Sequence, residues 1–233
     1  MKQLFRRPKM AISGQKQGNS GPDKPVQDRL LDAAEQLFAE NGFDGASVRD
    51  IASAAGCNIA AVNYYFGGKD KLYTEVWRRQ LVQMRDARLQ AIEQVLSESN
   101  GKPSLEDLLK SFANAFIGPF VDESRSRWLM RLMAREMIDQ HVHVNVFVEE
   151  VIKPTMSAMG GALMKACPGL EESKIPLLIF FLAGQLIHIV HIKAMYEQTE
   201  MAEMPAFDLT DAVENIVKFS AAGIRAYAEE KTE

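Results

Sequence analysis

The chain has 233 residues, 47% of them hydrophobic and 25% charged, with a formal charge of −4. This is globular composition, enough for one sizeable core or two small domains, and it excludes a wholly disordered or collagen-like chain. Two cysteines, Cys57 and Cys167, make no disulfide framework and fit a reducing cytosol, and the acidic total leaves room for a local basic surface that grips nucleic acid.

Residues 1–25 carry Lys2, Arg6, Arg7, Lys9, Lys16 and Lys24 among Gly, Ser, Gln and Pro, without the apolar run of a secretory signal. They read as a disordered basic arm, either solvated or following a minor groove. Leu30, Leu31, Ala34, Leu37 and Phe38 recur at helical spacing and predict a first helix over 26–40, stopped by Asn41-Gly42. Ser47 is placed to cap a short helix over 48–55, with Val48, Ile51, Ala52 and Ala55 inward, and Gly56 ends it. Asn58 is placed to cap a second short helix over 59–66, and Gly67-Gly68 breaks the chain before a long helix over 70–97.

Further helices are expected over 105–121, 125–139, 144–167 with a kink at Pro154, 171–199 and 208–228, the last two separated by a loop at 201–205. Strand-like alternation is scarce, so the fold class is all-α. A three-helix helix-turn-helix DNA-binding domain over 26–72 precedes a helical ligand-binding and dimerisation domain over 73–233. Residues 175–195 are apolar for about the length of a membrane span, but Gln185, His188, His191 and Lys193 interrupt them. A helix apolar nearly all round is expected to lie in a core or a subunit interface.

The two short helices cannot be stable alone and must be held by their neighbours, as in a tri-helical reading head. On the second of them, Ala60 and Ala61 let the backbone approach base edges, Ile59 or Ala61 suits a thymine methyl, and Asn63 suits an adenine edge. Tyr64 and Tyr65 offer hydroxyls to phosphates, and Val62 and Phe66 are core. Lys69 adds an ammonium at a helix start, and Arg49 reaches a base or a phosphate. Cys57, in the turn, has no basic residue beside it in sequence to make it reactive and reads as structural.

LDAAEQLF at 31–38, Asn41-Gly42-Phe43, Ser47-Val48-Arg49-Asp50-Ile51-Ala52, Ala55-Gly56 and the run from Tyr64 to Leu72 together resemble the TetR/AcrR regulator family over the first third of the chain. Ala60-Ala61-Val62-Asn63 stands where that family usually has a Gly-Thr-Leu-Tyr core. This Asn-Tyr-Tyr-Phe version resembles the branch with a CerR-type C-terminal domain, as do Arg135-Glu136-Met137, Phe147 and Ile152-Lys153-Pro154. The resemblance implies that Ser47, Arg49, Asn58, Ile59, Ala60, Ala61, Asn63, Tyr64, Tyr65 and Lys69 face DNA, and that the C-terminal helices dimerise around an inducer pocket. It implies a cytoplasmic homodimeric repressor, without cofactor and not an enzyme, released from a palindromic double-stranded operator by a small apolar or amphipathic ligand.

Phe112, Phe116, Phe120, Trp128, Met133, Met137, Phe147 and Met156 are candidates for the pocket lining, with Arg131, Arg135 or Glu136 as polar anchors. The same residues at helical spacing would equally build an ordinary core. Phe181, Gln185, His188, Ile192, Val217 and Ile224 are candidates for the dimer interface. His141 with His143, or His188 with His191, offers a metal-responsive alternative for the signal, although a structural metal site usually needs four protein ligands and each pair supplies two. Glu136, His141 and His143 could serve an enzyme as acid or base, but no nucleophile, phosphate loop or metal set accompanies them. A helical module that binds a protein partner is the third possibility, separable from a DNA reader by salt dependence.

Overall fold

The computed structural model describes residues 24–121, 123–198 and 208–229. All but the last two residues of the expected basic arm, and the loop at 201–205, lie outside the described residues. The described residues contain no strand.

Helix α1, Val26–Gly45, buries Leu30, Leu31, Ala34 and Phe38 and breaks at Gly42, where φ is 77°. The expected stop at Asn41-Gly42 is therefore a sharp bend, with one more helical turn after it. Only glycine suits this position on two counts: the left-handed backbone, and an Arg135 guanidinium nitrogen 2.9 Å from where a Cβ would stand. Helix α2, Val48–Ala54, starts at Ser47, whose hydroxyl accepts the Asp50 N–H at 3.1 Å. Helix α3, Ala60–Phe66, ends at Gly67, where φ is 74° and the N–H bonds the Asn63 carbonyl. Helix α4, Lys69–Glu98, then runs for 30 residues.

Phe38, Ile51, Val62, Leu72 and Trp77, each at most 1% exposed, form a first core. Burying such side chains contributes about 1.5–3 kcal/mol each, which holds two helices too short to persist alone. Leu132, Val142 and Val151 belong to the same core. The head is thus sealed by residues well beyond 72, and the expected domain boundary falls inside the continuous helix α4.

Helix α5, Leu105–Ile117, is capped by Ser104 and continues into a 3-10 turn at Gly118–Phe120; α6 spans Glu123–Asp139. Helix α7, Val144–Phe147, leads through a π-helical turn, Val148–Ile152, into α8, Lys153–Ala166. The expected kink at Pro154 appears as this π turn just ahead of it. Proline has no N–H, and its ring crowds the carbonyl four residues back, so the wider turn accommodates it. Helices α9, Ile175–Gln198, and α10, Leu209–Glu229, complete the fold. A second core joins Met84 and Ile92 of α4, Leu108 and Phe112 of α5, Met159 of α8, Leu186 of α9 and Val213 of α10.

Residues 172–195, α9 with the turn before it, are long and apolar enough to cross a membrane. In this fold Leu178, Leu182, Leu186 and Val190 face the second core, while Leu177, Phe180, Phe181 and Ile187 are exposed. Val217 and Ile224, expected at a dimer interface, are 5% and 3% exposed and lie in the chain's own second core. They belong to the stripe of α10 that packs on α5 and α9. The exposed large apolar residue of α10 is Phe219, on a different face.

Candidate nucleic-acid interface and regulatory cavity

Buried Val62 and Phe66 hold α3 to the head, and the rest of this short helix faces outward. Ala60, Asn63, Tyr64 and Tyr65 are exposed, Ile59 is 51% exposed, and Ala61 is half-buried. Tyr64 projects furthest, at 83% exposure, and its ring meets Tyr65 edge-on with centroids 4.9 Å apart. Arg49 on α2 is exposed as well. The half-buried Lys69, at the start of α4, places its ammonium 4.5 Å from the centroid of the Phe43 ring. Two of the residues expected at DNA also serve the fold. The Ser47 hydroxyl is shared with the Asp50 backbone and carboxylate, and the Asn58 side-chain carbonyl accepts the Ala60 N–H at 2.9 Å.

Cys57 lacks basic neighbours along the chain but not in space. An Arg29 guanidinium nitrogen lies 3.6 Å from its sulfur, and the thiol donates to the Ala55 carbonyl.

Helix α4 carries this head and is tied along its length to what surrounds it. Arg79 pairs with Asp32 at 2.8 Å and with Glu35, and Gln80 donates to Glu35 at 2.8 Å. Burial works to lower the Arg79 pKa, but Glu35 and Asp32 outweigh it and leave it raised. The Tyr73 hydroxyl donates to Glu136 at 2.8 Å, and the same buried carboxylate accepts the Val142 N–H at 2.6 Å. Burial first, and Glu136 after it, push the Tyr73 phenol well above its ordinary value. Further along, Arg78 at 3.1 Å and Arg85 at 3.4 Å share Glu150 of the π turn.

Between α4, α5, α6, the π turn, α8 and α9 lies an apolar cavity of about 280 Å³. Of the expected lining, Phe112, Phe116, Phe120, Met133, Phe147 and Met156 border it. Trp128 does not, and instead packs against both cores from α6. Nor is Arg135 a cavity anchor. Its guanidinium reaches the Phe38 and Glu40 carbonyls at 3.4 and 3.1 Å, where the bend at Gly42 leaves the end of the first helical stretch open. Arg131 is exposed, Glu136 is committed to Tyr73 and Val142, and the Met137 side chain lies outside what is described.

The cavity's polar groups are Arg88 and Thr155, which the sequence pattern did not single out, and His191, which it offered only as half of a metal-binding pair. Arg88 is 8% exposed, with its guanidinium carbon 4.0 Å from the centroid of the Phe116 ring. Burial lowers its pKa to about 10, so it remains a cation at neutral pH. A signal was present in the sequence, since Leu81, Met84, Arg88 and Ile92 share one buried stripe of α4.

The histidines do not converge. His141 packs at a tilt against Phe43 with centroids 4.2 Å apart, and the His143 Nδ1 accepts the Asn145 N–H at 3.2 Å to cap α7. His188 and His191 are exposed on α9. Among the described residues, no three His, Cys, Asp or Glu side chains gather as a metal site. The metal-responsive alternative therefore has no support from the geometry. Of the remaining interface candidates, Phe181 and His188 are exposed and Ile192 is half-buried, while Gln185 donates to Ser220 of α10 at 3.3 Å.

Residues 30–76 match the family model described as Bacterial regulatory proteins, tetR family, and residues 114–223 match one described as Tetracyclin repressor-like, C-terminal domain. The second description does not bear on the CerR-type branch. The chain is 38% identical over 66 residues to the transcriptional repressor AcnR of Corynebacterium efficiens, covering 28% of this chain and 35% of that one. It is 31% identical over 154 residues to the dual regulator CecR of Shigella flexneri, covering 64% and 57%. The matched stretches thus span about a third and just over half of those relatives' lengths. The fold resembles FadR from Bacillus subtilis, solved with stearoyl-CoA, at TM-score 0.61 and 19% identity, covering 84% of this chain and 98% of that one. It also resembles the fatty acid degradation regulator FadR from Bacillus halodurans, at TM-score 0.59 and 21% identity, covering 88% and 99%.

Proposed function

The chain belongs to the TetR family of bacterial regulatory proteins, and on that premise we propose that it is a cytoplasmic, homodimeric repressor that leaves its operator when a small ligand enters the second core. The observation that carries the DNA-binding reading is α3: a seven-residue helix whose two large inward residues are buried while Asn63, Tyr64 and Tyr65 stand out from it. In this reading Tyr64, Tyr65, Lys69 and Arg49 hold phosphates, and Ile59 to Asn63 read base edges. Ser47 and Asn58 serve mainly as helix caps that set the pose of those groups.

The dimer reading is supported by the apolar side chains that α9 and α10 leave exposed: Phe180, Phe181, Ile187 and Phe219. Two heads about 34 Å apart would read a palindrome. Ligand response is supported by the cavity and by its connections. Its wall includes Val151, Ile152 and Thr155, next to Glu150, which holds Arg78 and Arg85 of the helix that bears the head. A ligand that prefers one pose of this wall biases the separation of the two heads by its differential affinity.

The test is selection of duplexes from the source genome, followed by gel shift and sedimentation. The expected result is a palindromic site bound by two protomers. Asn63→Ala is expected to relax preference at one base pair, and Tyr64→Ala to weaken all sequences alike. Recovery of no duplex above background, or binding by a single protomer to a non-palindromic site, contradicts the proposal.

A further inference from the structure

Two buried polar side chains border the apolar cavity with polar atoms left unbonded. Arg88 is 8% exposed and Thr155 6% exposed; the Arg88 Nε and the Thr155 hydroxyl have no hydrogen-bond partner, and Arg88 has no ion pair among the described residues. A buried charge left unpaired is among the costliest arrangements in a protein interior, and buried charges are ordinarily paired. An arginine that served packing alone would be better replaced by methionine, which fills gaps and carries no charge. The neighbouring arginines of α4 are each met by carboxylates from other elements: Arg78 and Arg85 by Glu150, and Arg79 by Asp32 and Glu35.

Resting on the reading of this cavity as the regulatory site, we infer that its ligand is an apolar acid: a compact hydrocarbon body with one anionic head, a carboxylate, that pairs with Arg88 and accepts from the Thr155 hydroxyl. Guanidinium matches a carboxylate in a planar two-point contact, and the threonine hydroxyl in the same cavity wall supplies a further donor. The Phe116 ring, already against the guanidinium, helps to hold it at the cavity wall. Apart from His191, the remainder of the wall, Phe112, Phe120, Met130 and Ile179 among others, offers only apolar contact. A cavity of about 280 Å³ has space for roughly nine or ten atoms at the ~30 Å³ that a liquid water occupies. Medium-chain fatty acids and small aromatic acids have this size. His191, the remaining polar group of the wall, is exposed, whereas Arg88 and Thr155 are buried.

The experiment titrates octanoate and octanol, which share a chain and differ in the head, into the full-length protein by calorimetry. Wild type is expected to bind octanoate at least tenfold more tightly than octanol. Arg88→Met is expected to abolish that preference while keeping octanol binding, and to unfold at a higher temperature than wild type without ligand. Arg88→Lys, which keeps the charge but loses the planar fork, is expected to keep part of the preference, and Thr155→Val to lower octanoate affinity several-fold and leave octanol unchanged. Equal binding of the two compounds to wild type, an unchanged preference in Arg88→Met, or no octanoate binding at all overturns the inference. The same titrations on the operator complex separate it from the wider reading. Octanoate bound with the expected preference but without DNA release supports the ligand class and contradicts ligand-relieved repression. Release by octanol but not octanoate does the reverse.

Discussion

The two cores of this chain treat their most buried charges differently. Around the head core these have charged or hydrogen-bonding partners, Arg79 in Asp32 and Glu35 and Glu136 in the Tyr73 hydroxyl and the Val142 N–H, although the Nε atoms of Arg79 and of the half-buried Arg29 are themselves unbonded. In the regulatory core Arg88 and Thr155 are left unanswered beside an open cavity. The first arrangement gives a head with one geometry, able to present α3 at a fixed angle. The second is the arrangement that the inferred apolar acid would complete. Helix α4 contributes to both, and in the proposed reading it is the element through which the state of one reaches the other.

The comparison is open to attack by substitution. Phe38→Ala, at a fully buried ring, is expected to destabilise by about 3–5 kcal/mol in urea denaturation, whereas Phe120→Ala, facing space that already exists, is expected to cost clearly less. Equal losses would remove the distinction between a filled core and an incomplete one. Arg79→Met and Arg88→Met are expected to differ in sign. The former leaves the Glu35 and Asp32 carboxylates without their cation and destabilises, by about 1–3 kcal/mol after allowance for partial exposure. The latter stabilises. Gly42→Ala is expected to cost about 1–2 kcal/mol, because alanine must adopt a φ of 77° and Arg135 must withdraw. Ser47→Ala, which removes the cap of α2, is expected to cost about 1 kcal/mol and to loosen the head without touching the cavity.

A smaller effect lies in acid. Burial works to raise Asp32, but Lys24 and Arg79 outweigh it, and its pKa is lowered on folding. A carboxyl lowered on folding contributes stability above its unfolded pKa of about 3.9 and loses it as the pH falls through the folded value. Asp32→Asn is therefore expected to flatten the acid limb of the stability curve below about pH 4, modestly, since the group is partly exposed. An acid limb unchanged by the substitution would mean that Asp32 does not contribute to head stability.

Much of the head was legible in the sequence because its signals are local. Ser47, Gly42, Gly56 and Gly67 mark ends that a short helix must have, and the inward residues of α2 and α3 follow from the spacing between them. The regulatory domain was read well in its helices and less well in their facing. Val217 and Ile224 are apolar at helical spacing, which shows that α10 has a buried stripe but not whether the chain itself or a second copy covers it. Arg135 and Trp128 failed as cavity residues because α6 turns them toward α1 and the junction of the cores, a choice made by tertiary packing. Glu136 likewise found its partners 63 residues away in Tyr73 and six residues on in Val142. Arg88 is the instructive omission. Among the many arginines of α4 it looks ordinary in composition, and only its place on the stripe of Leu81, Met84 and Ile92 sets it apart.

The central claim, that the exposed face of α3 and its flanks grip DNA, is tested most directly by the salt dependence of duplex binding in wild type and Lys69→Ala. The expected result is a linear fall of log affinity with log salt. The slope is expected to be shallower in the variant by about 0.9 for each phosphate that Lys69 neutralises, hence by close to two for a dimer. An affinity that does not change with salt, or a slope that Lys69→Ala leaves untouched while binding persists, would contradict it.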